Sequence, residues 1–174
     1  MNRLRVFLKI AIILIAFLLQ SLLFGSLSFT SIRPNLLLMI TALSGFMVGK
    51  REGVWVGFVC GLFWDFGGGD LIGFYALVFV IIGYMNGRFH RLFFDEDVRL
   101  PLLAVTLSDL AFGMIIVITQ FFLRGRFAFG TYLFRIMLPE VIFTVLVTLI
   151  LYPLITRYNR FTQGLAERSS GKLV

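Results

Sequence analysis

Four charged residues stand within or at the mouths of apolar stretches and are the groups that could do chemistry there: Arg33, Asp65, Asp109 and Glu140. An ionisable side chain in an apolar setting is costly. It is kept where it pairs with an opposite charge, lines a ligand or ion path, or fixes how helices pack. None of the four stands at metal-ligand spacing from another acid, a histidine or a cysteine. Cys60 is the only cysteine and lies inside an apolar run, so neither a disulfide framework nor a cysteine-based metal site is expected. His90, the only histidine, lies in the basic segment NGRFHRLFF and reads as a solvated face. No Ser–His–Asp order and no phosphate loop ahead of a helix occurs. The sequence therefore predicts no enzyme, no metal and no cofactor.

The elements that must position these groups are set by the solvent. The chain is 59% hydrophobic and 14% charged, with a mean hydropathy of +0.97. Soluble domains run at about 45–50% apolar and about 25% charged. The expected fold is therefore an all-α integral membrane protein in a single transmembrane domain over 1–174. A net charge of +7 over 16 Lys and Arg reads as loops held on the cytoplasmic side. The alternation of basic and aromatic residues that suits nucleic acid is absent.

Six spans are expected, at about 6–24, 35–48, 53–66, 71–84, 101–122 and 133–155. The first has a basic lead and reads as a retained signal anchor. A full crossing takes roughly 20 apolar residues. The first, fifth and sixth spans reach that length; the second to fourth are shorter, and crossing and re-entrant readings both stand for them. With the N-terminus inside, Arg3, Arg5, Lys9, Lys50, Arg51, Arg88, Arg91, Arg99, Arg157, Arg160, Arg168 and Lys172 face the cytoplasm. Only Arg33, Arg124, Arg126 and Arg135 face out. That bias places both termini, including a tail over 156–174 that frays after Ala166, in the cytoplasm. Pro101 fits the first turn of the fifth helix, and Pro139 and Pro153 lie near the two ends of the sixth span.

Within the third span Gly53, Gly57, Gly61 and Asp65 recur every four residues and form one narrow stripe on a helix. Gly45 with Gly49, and Gly83 with Gly87, repeat the spacing. Small residues at this interval let two backbones approach closely in a membrane, either within the chain or as a seam between two copies. The stripe turns Asp65 toward protein. Gly67, Gly68 and Gly69 end the helix, and Asp70 reads as a turn residue capping the next one. Asp65, Asp109, Glu140 and Arg33 are expected to converge toward the outer half, as an internal charge pair or as a ligand path. Arg33 pairing with Asp65 is the specific expectation, with Glu140 as the competing partner for Arg33.

The segment SIRPNLLLMITAL, followed by GKREGVWVGFVCGLFWDFGGGDLIGFYALVFVIIGYMNGRF, resembles the rod shape-determining protein MreD family of bacteria. The resemblance rests on Arg33-Pro34-Asn35 before Leu36-Leu37-Leu38, then Arg51-Glu52-Gly53, Gly57-Phe58, Gly61-Leu62, Asp65, Gly73, Ala76-Leu77 and Gly83-Tyr84. It covers about 32–89. The turn departs from the family's Ser-Gly-x-x-Pro-like pattern, having Gly67-Gly68-Gly69-Asp70, and Phe74-Tyr75 stands where members carry a histidine. The resemblance implies a non-catalytic scaffold subunit of the cell-elongation complex (the elongasome) in the bacterial inner membrane. That subunit would act with MreC and link peptidoglycan synthesis, by a RodA-type glycosyltransferase and a class B penicillin-binding protein, to the MreB filament. It also implies a six-helix fold similar to the substrate-binding subunit of energy-coupling-factor transporters. From that likeness comes the alternative function, small-molecule (vitamin) uptake.

Overall fold

The computed structural model describes residues 3–26, 34–67, 73–92, 98–124 and 138–170. These form six α-helices and one short 3-10 turn, with no strand among the described residues. The helices are α1 (Arg3–Ser26), α2 (Leu36–Val48), α3 (Lys50–Phe66), α4 (Phe74–Arg88), α5 (Arg99–Arg124) and α6 (Leu138–Ser170), and the 3-10 turn, Phe89–Leu92, follows α4 directly.

α2 is the centre. Its residues Leu36–Met39, Thr41–Leu43 and Gly45–Met47 are buried on every side, as an evenly apolar helix must be when neighbours surround it. α3 follows after Gly49 alone, whose φ of 119° lies where a β-carbon is strained. The chain therefore reverses within one residue. Gly45 lies against Gly53, and Thr41 against Gly57, one helical turn further along each helix. α4 reverses again, so α2 and α4 run parallel with α3 antiparallel to both. α1 packs on α2 and α3, and α5 and α6 close another side of α2.

The stretches Arg99–Thr119 in α5 and Leu138–Arg157 in α6 are long and apolar enough to cross a membrane. Val6–Leu22 and Leu36–Val48 are shorter apolar helices. At 1.5 Å per residue, the 13 residues of α2 and the 15 of α4 rise only about 20 Å, against a hydrocarbon core of about 30 Å. The outer surface is lipid-like. Trp55, Phe58, Phe66, Ile81, Leu107, Ile142, Leu149, Ile150 and Leu154 are all exposed, and large apolar side chains left uncovered in this number mark a surface that meets lipid or protein. The helices and this surface are those of a membrane protein.

Helix ends differ from the expected spans where short-range chemistry decides them. α3 starts at Lys50 instead of 53, because Gly49 breaks the chain immediately before it. α4 starts at Phe74 after the left-handed Gly73, φ 93°, and runs on to Arg88. α6 is described from Leu138, with Pro139 in the first described turn and Pro153 inside the helix; 133–137 of the expected span lie outside the described residues. The helix continues to Ser170, past the 155 end of the expected span and past the fraying point expected after Ala166.

Candidate functional site

The glycine stripe faces α4 of the same chain. A β-carbon added at Gly53 would run into the Gly83 carbonyl oxygen, one at Gly57 into that of Phe79, and one at Gly61 into the Ala76 backbone. The contact is reciprocal: a β-carbon on Gly83 would strike the Gly53 carbonyl, and one on Gly87 the Lys50 backbone. Gly45 joins the same knot, 2.6 Å from the Gly83 oxygen by the same construction. Three backbones thus meet at one end of α2, α3 and α4 with no side chain between them. The second arrangement left open by the spacing, a seam between two copies along this stripe, is corrected: α4 already covers it.

Asp65 ends the stripe, 5% exposed. Its Oδ2 accepts the backbone N–H of Gly73 at 3.0 Å and of Ala76 at 3.2 Å, and its Oδ1 accepts that of Tyr75 at 3.1 Å. A helix leaves its first four N–H groups without internal partners, and its N-terminus favours an anion. Gly73, the N-cap position of α4, has no side chain to supply the bond. The carboxylate of α3 replaces it, reaching across the hairpin. Asp65 thus caps α4; Asp70, expected to cap the same helix, lies outside the described residues. Arg33 also lies outside them, and its pairing with Asp65 is not part of the described geometry. Three backbone donors already compensate the Asp65 charge.

A second polar group gathers at the start of α2. Pro34 and Asn35 are fully buried. The Asn35 Oδ1 accepts the Leu38 N–H at 3.1 Å, the usual act of an asparagine N-cap. Gln20 of α1 supplies the rest: its Oε1 accepts the N–H groups of Leu36 at 3.0 Å and Leu37 at 3.4 Å. The Asn35 N–H donates to the Thr144 hydroxyl of α6 at 3.3 Å. That hydroxyl also hydrogen-bonds the Asp109 carboxylate of α5. Glu140, one turn before Thr144, lies within electrostatic reach of Asp109. The structure therefore brings Asn35, Asp109 and Glu140 together through Thr144 and leaves Asp65 to α4. Asp109 is 3% exposed; its Oδ2 and the Asn35 Nδ2 have no hydrogen-bond partner among the described residues.

Four polar residues that join helices escaped the sequence reading: Gln20, Asn86, Thr144 and Ser108. The Asn86 Nδ2 donates to the Ser108 hydroxyl at 2.7 Å, tying α4 to α5. Gln20 and Asn86 carried a usable signal, since each is an amide in an apolar run. Thr144 and Ser108 carried none, because such hydroxyls also bond their own helix, as Ser108 does to the Ala104 carbonyl at 2.7 Å. Beside this framework lies an aromatic cluster in which Phe112 of α5 meets Trp64, Tyr75 and Phe79 with centroids 5.5–6.2 Å apart. No group of three or more histidine, cysteine or acidic residues placed to hold a metal occurs among the described residues.

The model of a protein family described as rod shape-determining protein MreD matches residues 1–162 of the chain. No curated protein and no solved structure matches it.

Proposed function

The chain belongs to this family of rod shape-determining proteins, the MreD family, and on that premise we propose that it is a non-catalytic membrane scaffold of the cell-elongation machinery. In this reading it joins MreC in the cytoplasmic membrane and couples a RodA-type glycosyltransferase and a class B penicillin-binding protein to the MreB filament. The observation that carries the proposal is the family match over nearly the whole chain. A scaffold also suits the packing: α2, α3 and α4 are locked backbone to backbone, and Gln20, Asp65 and Asn86 join neighbouring helices. The excess of Lys and Arg on one set of loops supports a multi-pass topology with both termini cytoplasmic.

The competing reading, a vitamin-binding uptake subunit, calls for several polar groups converging on a concave outer site. Asp65, one of the three acids expected to converge there, is occupied by the α4 backbone. The test is recovery of the tagged full-length chain from native membranes in mild detergent. Co-purification of MreC with the synthase pair is the expected result. Recovery with an ATPase and a bound vitamin would overturn the scaffold reading.

A further inference from the structure

At the Gly49 corner the structure holds a basic cleft of about 640 Å³, lined by Lys50, Arg51, Arg88, His90 and Arg91. Its one acid, Glu52, is paired with Lys9 of α1. Lys50 lies over the Tyr84 ring, and the His90 Nδ1 bonds the Phe46 carbonyl at 2.9 Å. No ion pair with a described acid involves Lys50, Arg51, Arg88 or Arg91. Among the described residues the cleft is therefore strongly cationic.

A second cavity, of about 390 Å³, begins at the wall of the first. Val48 and Glu52 line both. From there it runs along α2 past Ser44, Ile40 and Met39 to Leu36, with α1 on one flank and Leu151, Leu154 and Ile155 of α6 on the other. Apart from the Lys9–Glu52 pair at its mouth and Ser44, its lining is apolar. From Val48 to Leu36 the α2 backbone rises about 18 Å. One leaflet of the hydrocarbon core is about 15 Å deep, half of the roughly 30 Å whole.

We propose that cleft and groove together form a binding site for one anionic phospholipid, its phosphate held by the basic residues at the Gly49 corner and an acyl chain lying along α2 between α1 and α6. Three features select this occupant. The two cavities adjoin at Val48 and Glu52, so a ligand that reaches from one into the other must be charged at one end and apolar along the rest. The charge at the wide end is positive, which matches a phosphodiester. The groove length matches one leaflet, and basic pockets between membrane helices on the cytoplasmic side attract anionic headgroups. The Lys9–Glu52 pair neutralises the one carboxylate among the described lining residues that would repel the phosphate.

The test uses the full-length protein, delipidated in neutral detergent and titrated with phosphatidylglycerol or phosphatidylcholine under native mass spectrometry. One phosphatidylglycerol is expected to be retained preferentially. Each basic side chain removed should weaken that preference about fivefold, so Lys50→Gln, Arg51→Gln and Arg91→Gln combined should abolish it. These side chains are exposed, so the variant keeps its fold. Ile40→Trp, which fills the groove and leaves every cation in place, should also lose the bound lipid. Equal retention of the two lipids, or a preference that survives the triple substitution, would overturn the proposal. Displacement of the lipid by millimolar inorganic phosphate, with Ile40→Trp binding normally, would reassign the cleft to a soluble anion and overturn it too. So would a photocrosslinker at position 40 that captures a protein in native membranes in place of lipid.

Discussion

Asp65 and Gly73 close the α3–α4 hairpin by a bond of 3.0 Å from the Gly73 N–H to the Asp65 Oδ2. The residue at the N-cap position contributes only a backbone, and the cap itself comes from the neighbouring helix. One carboxylate therefore holds the geometry of the turn and the start of α4 together.

Asp65→Ala should destabilise the protein by about 1–3 kcal/mol, since the buried Ala76 N–H loses its acceptor and the part-buried Gly73 and Tyr75 N–H groups lose theirs. Asp65→Asn keeps one acceptor oxygen and should retain part of the loss. Thermal unfolding in detergent ranks the two. Equal stability of Asp65→Ala and wild type would show that the cap contributes nothing.

Gly83→Leu and Gly61→Leu should prevent folding, because the added side chain meets backbone that cannot yield; overpacking costs about 1–3 kcal/mol even where side chains can move aside. Gly73→Ala is the contrast. Nothing lies within 4 Å of its added β-carbon, so only the left-handed φ is penalised, by about 1–2 kcal/mol. Expression and size-exclusion profiles of the three should separate them cleanly.

The Asn86–Ser108 bond joins α4 to α5 inside the bundle. A double-mutant cycle with Asn86→Ala and Ser108→Ala should give a coupling of about 0.6 kcal/mol, the usual value for a hydrogen bond between membrane helices. Strict additivity would show that the two side chains do not interact.

Lys9 and Glu52 pair at partial exposure, 22% and 34%. Breaking the pair by Glu52→Gln should cost about 0.2–1 kcal/mol, and less at high salt. A larger, salt-independent loss would mean that Glu52 acts through packing.

The residues themselves show how far sequence could reach. The four-residue spacing of Gly53, Gly57, Gly61 and Asp65 is a local property of one helix, so their common face was legible. Which helix covers that face was not, because spacing carries no information about the partner. Asn35 before an apolar run was legible as a helix start. Its bond to Thr144 spans 109 residues and leaves no local pattern. That Asp65 faces protein was legible from the stripe, whereas the backbone donors it accepts from belong to every residue alike and leave no pattern. The end of α6 was misplaced for a related reason: hydropathy falls after Ile155, but the helix continues through polar residues once it has left the apolar region.

The single residue between α2 and α3 also bears on how the chain enters its membrane during synthesis. Thirteen residues cannot span the bilayer as a resting intermediate, and Gly49 allows no pause before α3 begins. We expect the insertion machinery to hold α2 until α3 and α4 have emerged and then to release the three as one hairpin bundle. In nascent chains long enough to expose α2 but not α4 beyond the ribosome, a cysteine placed in α2 should react with a water-soluble maleimide, while in those that also expose α4 it should be shielded. Early, stable integration of α2 alone would refute this order of assembly.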